Sequence, residues 1–210
     1  GQPQAKTPPQ RQLIRGNQHF VRQPVAAPSA KEEGGGDIVF QETVDGPAAL
    51  VVNTAGVTTF DQQVGGTTAL ASLTTDAGGE VVVNGAGVRT TGAQRYGDAV
   101  TLGSDAELAS TDNGDIEFAG TVDGAHALRV TTGGTTRFDN AVGGGVALTG
   151  LVTGGAGSVR MGGGSIRTTG EQIYQNAVVL ATDTVLSSSQ GGDIAFGGTL
   201  DGQHALGIET

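Results

Sequence analysis

Apolar and polar residues alternate in short runs along most of this chain. Ile38 and Phe40 in "DIVF", Leu50 and Val52 in "LVVN", Val81 and Val83 in "EVVVN", and Val100 and Leu102 in "AVTL" each place apolar side chains at every second position. A period of two is that of a strand with one covered side. Turn-forming pairs and triplets bound the runs: "DG" at 45–46 and 123–124, "GG" at 65–66 and 143–144, and "TTG" at 90–92 and 168–170. Beyond residue 34 there is no apolar stripe of useful length with helical spacing, and Pro47 is the only proline. The body of the chain therefore reads as all-β.

The pattern repeats. "GDIVFQETVDG" at 36–46 returns as "GDIEFAGTVDG" at 114–124 and as "GDIAFGGTLDG" at 192–202, with the same interval both times. Residues 36–113 and 114–191 align without a gap, and 192–210 form a partial third copy. Within the repeat, an aromatic residue is followed four positions later by Val at Phe40/Val44, Phe60/Val64 and Tyr96/Val100, with "EVVVNGAGV" at 80–88 filling the wider gap. Four rungs of about 20 residues per repeat suit a parallel β-helix, in which coils stack and jointly cover side chains that none could bury alone. On this reading every fourth coil reuses the same rung, and the phrase recurs for that reason. The body holds about nine rungs and spans roughly 43 Å at the spacing of paired strands. A β-propeller or an antiparallel sandwich is the alternative, since "VDGPAALVV" also reads as a hairpin with a two-residue turn.

Composition narrows the function. The chain has 38 Gly, no Cys and no Trp among 210 residues, with a net charge of −10. Without Cys there is neither a disulfide framework nor a thiolate metal site. The charge is uneven: residues 1–33 sum to +3, whereas residues 34–210 carry 6 Arg, no Lys and 19 acids. An acidic body repels nucleic acid and anionic lipid, so neither is an expected partner. No apolar run is long enough for a membrane span.

The run "TTGAQRYGDAVTLGSD", preceded by "ALASLTTDAGG" and followed by "GDIEFAGTVDGAHALRVTTGGTTRFDNAVGG", resembles the tandem repeats of very large bacterial surface exoproteins of the filamentous-haemagglutinin-like and autotransporter-like adhesin families. The resemblance covers residues 34–210. It implies a right-handed parallel β-helix, export to the extracellular surface, and work as a stalk or adhesive fibre. Expected partners are further copies of the same repeat, self-association, or a glycan or protein receptor. Such tandem copies carry no catalytic residues that transfer to this chain.

Read for chemistry, the residues point the same way. Glycoside hydrolysis by a carbohydrate-active β-helix needs two carboxyl groups within about 10 Å. The recurrent acids Asp45, Asp123 and Asp201 fall in turn phrases, where aspartate bonds local backbone. His126 and His204 are equivalent, but the first copy has Ala48 there, which reads as a tolerated surface position. "NGAGVRTTG" at 84–92 lacks the lysine of a phosphate loop. The acids beside glycines in "DNGDIEF" and "GGGDIVF" suit weak Ca2+ binding at most. The pairs Thr58-Thr59, Thr74-Thr75, Thr90-Thr91 and Thr135-Thr136 would send one hydroxyl inward and one outward. No catalytic, cofactor or metal residue is expected, and the protein reads as a structural one rather than an enzyme.

Residues 1–35 differ from the rest, with five Pro, many Gln and a basic balance before a glycine run. They read as an irregular leader or linker, as a cap on the first rung through Leu13, Ile14, Phe20 and Val21, or as an arm that joins subunits head to tail into a filament.

Overall fold

A computed structural model describes residues 29–31 and 35–210, and the suggested cap through Leu13, Ile14, Phe20 and Val21 lies outside them. The described residues contain strands and turns and no helix. Every strand pairing is parallel, and each strand pairs with segments about one coil before and after it in the chain. The fold is a parallel β-helix, not a propeller or a sandwich.

Each coil crosses three faces. On the first face Ile38 pairs with Thr58, Thr58 with Val81, Val81 with Val100, and Val100 with Val122. Isolated bridges carry this face on through Val142 to Ile166, which pairs with Leu186, and Leu186 with Ile208. The second face begins with the bridges of Val44, Val64 and Val88 and continues through Leu108, Val130, Thr153, Tyr174 and Phe196. The third runs from Leu50 through Leu73, Gln94, Ile116, Thr136, Val159 and Val178 to Leu200. It is the longest sheet, with nine strands, and its first strand is Ser29–Lys31, paired on Ala49–Asn53. That strand falls inside the segment read as irregular from the sequence. The eight steps between nine strands make a rod of about 38 Å.

The repeat does not close on a whole number of turns. Ile38 lies on the first face, while its equivalent Ile116 lies on the third. Val44 and Val122 fall on the second and first faces, and Leu50 and Leu128 on the third and second. Counted face by face, the chain makes eleven crossings from Ile38 to Ile116, so one repeat is three and two-thirds turns. The recurring phrase is thus displaced by one face per copy, so it does not reuse the same rung at every fourth coil. The sequence pattern hid this because coil length is uneven. Ile38, Thr58, Val81, Val100 and Val122 stack directly on one another, yet the second of these coils is longer than the first and the third is shorter than both.

The interior follows the alternation. Ile38, Phe40, Leu50, Val52, Phe60, Val81, Val83, Val100 and Leu102 are all buried. Equivalent side chains form the same ladder on different faces. On the first face Phe40 stacks on Phe60 with centroids 5.0 Å apart, and Val83 and Leu102 continue the column. On the third face Tyr96, Phe118 and Phe138 stack at 5.3 and 5.2 Å, followed by Met161 and Leu180. Tyr174 and Phe196 begin the same sequence on the second face at 5.3 Å. Parallel offset rings add to area burial, which contributes roughly 1.5–3 kcal/mol per large apolar side chain.

Corners require glycine where coils touch. Gly65 and Gly143 have φ of +70° and +68°, and a Cβ at either would overlap the carbonyl oxygen of Arg89 or Arg167 in the next coil. These are the "GG" turns of the sequence, and their second role is close approach between coils.

Candidate functional site

The recurring phrase is first of all a clasp between coils. The Gly36 carbonyl accepts the Thr54 hydroxyl, and Asp37 Oδ1 accepts the Val57 amide at 2.8 Å. The next copy repeats this: the Gly114 carbonyl accepts the Thr132 hydroxyl at 2.6 Å, and Asp115 Oδ1 accepts the Thr135 amide at 2.7 Å. Asp45 Oδ1 accepts the amides of Thr67 and Thr68 at 2.8 and 3.0 Å, and Asp123 Oδ1 those of Gly145 and Val146 at 2.8 and 2.9 Å. The aspartates are backbone acceptors, as their turn setting suggested. Their partners, however, lie one coil away rather than within the same turn. Asp45 and Asp123 also stand on different faces, because the phrase has rotated between them. Asp201 belongs to the last strand of the third face.

A buried polar network occupies the turn between the second and third faces. Gln94 is 1 % exposed. Its Nε2 donates to the Val88 carbonyl, to Thr90 Oγ1 and to the Ala109 carbonyl at 3.3, 3.2 and 2.9 Å, and its Oε1 accepts the Tyr96 phenol at 2.9 Å. Gln172 repeats all four bonds with Ile166, Thr168, Ser187 and Tyr174. Burial pushes both tyrosine phenols well above their ordinary range. These groups hold the interior in register. The sequence carries the signal as the matched "AQRY" and "EQIY", where a glutamine recurs two positions before each tyrosine.

His126 and His204 are surface residues, each with an acid beside it. Asp105 Oδ1 lies 3.6 Å from His126 Nδ1, and Asp183 Oδ1 lies 3.3 Å from His204 Nδ1. The same carboxylates accept the backbone amides of Ala127 and Ala205 at 2.8 and 3.0 Å. The Ala205 amide, with His204, holds the Asp183 carboxyl below its usual range. The sequence positions one repeat earlier are Ala27, which precedes the first copy, and Ala48 within it, so the first such pair joins Asp105 of the first copy to His126 of the second.

Inward and outward positions diverge between copies. Inward Ile38, Phe40, Thr58 and Phe60 match Ile116, Phe118, Thr136 and Phe138, whereas outward Val39, Thr59 and Val82 become Glu117, Arg137 and Arg160. Glu117 pairs with Arg95, Arg160 Nη1 meets Asp139 Oδ1 at 2.8 Å, and Arg129 Nε lies 3.6 Å from Glu107 Oε1. The threonine pairs split as expected: Thr58, Thr75, Thr90 and Thr136 are buried, while Thr59, Thr74, Thr91 and Thr135 are not.

Two shallow hollows lie on the outer surface. One, of about 290 Å³, is lined by Asp105, Glu107, Arg129 and Glu171 on the second face. The other, of about 530 Å³, is lined by Ser165, Arg167, Ser187 and Glu209 on the first. Among the described residues no group of three histidine or acidic side chains is placed to hold a metal ion, and no helix is long and apolar enough to cross a membrane.

No family model matches the chain, and no similar protein is found among curated sequences or solved structures.

Proposed function

We propose that this chain is a structural protein of a bacterial cell surface, a rigid repeat rod that acts as a stalk or fibre and carries adhesive contacts on its flanks. The observation that supports this reading is what the repeat preserves. Interior ladders and cross-coil clasps recur between copies, while outward residues change. Three and two-thirds turns per copy also send equivalent residues to different sides. A repeat built to line up identical active sites or binding patches along one face would close on whole turns. Its recurrent carboxylates are engaged with backbone amides one coil away, which favours a structural over a carbohydrate-active role. The test is surface labelling. Antibodies against residues 36–210 should stain intact cells of the producing organism, and staining only after permeabilisation would overturn the surface assignment.

A second reading is a filament subunit that joins head to tail through its N-terminal segment, favoured by the +3 charge of residues 1–33 beside an acidic body. Sedimentation across a concentration series should reveal end-to-end association if that segment is used, and a concentration-independent monomer would remove this reading.

A further inference from the structure

We infer that the outer third face carries a binding site for a tetrahedral oxyanion, a sulfate or phosphate group, held by Arg137 and Arg160. The two arginines are direct partners on the neighbouring strands Thr135–Phe138 and Ser158–Met161. Paired strands lie about 4.8 Å apart, and like charges directly opposite each other are destabilising. The nearby carboxylates do not relieve this pair fully. Asp139 is engaged by Arg160 and Glu117 by Arg95. Among the described residues no carboxylate lies within ion-pair distance of Arg137, and its Nε is buried without a hydrogen-bond partner. A buried, unpaired guanidinium N–H is costly unless something accepts from it.

The fold does not demand arginine here. The first copy builds the same coils with Thr59 and Val82 at these positions. The two arginines are therefore a departure from the repeat, and they occur in a body that has only 6 Arg and no Lys. Two planar guanidinium forks side by side match the several oxygens of a sulfate or phosphate group. Thr135 and Ser158, two positions back along the same strands and also partners, place hydroxyl-bearing residues on the same outer side. A singular cationic pair on an otherwise acidic, repetitive surface is the pattern of a site rather than of a scaffold.

Two sources share this chemistry: the free inorganic ion, and a sulfate or phosphate ester on a polysaccharide. Titration of the whole chain with sodium sulfate and sodium phosphate at constant ionic strength, followed through the arginine Nε–Hε resonances, separates them from each other when repeated with dextran sulfate against plain dextran. One saturable site is expected, perturbing Arg137 and Arg160 first. Arg137→Thr and Arg160→Val, which restore first-copy residues, should each weaken binding by at least about tenfold. Both should melt in chloride at or above the parent temperature, which shows that the loss is not unfolding. Arg129→Val should bind unchanged. Saturation by the free ions assigns the site to the ion itself, and saturation by dextran sulfate alone assigns it to the ester. The inference is overturned if neither probe saturates, if both variants bind like the parent, or if the resonances show Arg137 already held by Glu117.

Discussion

The phenol of Tyr96 donates to Gln94 Oε1 at 2.9 Å on the third face, and one repeat later Tyr174 makes the same bond to Gln172 at the same length on the second. One local solution thus serves two sides of the rod. Replacing Gln94 by Leu leaves the phenol without its acceptor in a dry interior, at about 1–3 kcal/mol. Tyr96→Phe orphans Gln94 Oε1 and should cost a similar amount. The double variant should lose less than the two single losses together, because both remove one shared bond. Urea midpoints of the four proteins check this.

Position within the stack should outweigh residue type. Phe118 lies between Tyr96 and Phe138 and is 1 % exposed, whereas the equivalent Phe196 sits in the last coil, stacked on Tyr174 and only partly buried. Phe118→Ala should destabilise by about 3–5 kcal/mol through lost burial and the cavity left behind. Phe196→Ala should cost well under half of that, since partial exposure leaves less to lose. Thermal melting of the two variants side by side gives the comparison.

Asp98 predicts a pH dependence. Burial raises its carboxyl above the ordinary 3.8, opposed by the hydrogen bond from the Gly79 amide and reinforced by the charge of Asp76. The folded state therefore binds this proton more tightly than the unfolded one. Its contribution to stability is present below pH 3.8 and is lost as pH rises through the raised value. Asp98→Asn removes the titration and keeps an acceptor for the Gly79 amide, and the second copy already has Asn176 at the equivalent place. The variant should gain stability relative to the parent between pH 3 and pH 7, read from urea midpoints at each pH. A difference that stays flat, or that falls, would mean that Asp98 is not held above its ordinary value.

Much of the fold was legible because interior packing has a strict period of two. Ile38, Phe40, Val81 and Val83 all point inward as the alternation required. The phase of the repeat was not legible. Phe40, Phe60 and Tyr96 look like one ladder in the sequence, yet Tyr96 belongs to a different face from the two phenylalanines, and Val83 and Leu102 take its place above Phe60. Aromatic spacing marks chemical equivalence, whereas stacking is decided by coil length, which the corner loops stretch and shorten. Aspartate partners were hidden for a related reason: Asp45 and Asp123 bond amides a full coil further along the chain, a separation no local turn rule addresses. Arg137 and Arg160 are likewise a full coil apart, and only register made them neighbours.

The rotation of the repeat is the central claim, and disulfide trapping tests it most directly, because the chain has no cysteine of its own. Outward Thr74 and Arg95 are partners on the third face, and outward Val82 and Thr101 are partners on the first. Partner Cα atoms in adjacent strands fall within the roughly 4.4–6.8 Å that a disulfide spans. Cysteine pairs at 74/95 and at 82/101 should therefore oxidise readily, while a pair at 82/95, drawn from different faces, should remain reduced. Ready oxidation of 82/95 together with failure of 82/101 would place Tyr96 above Val83 on one ladder, and the account of three and two-thirds turns per copy would be wrong.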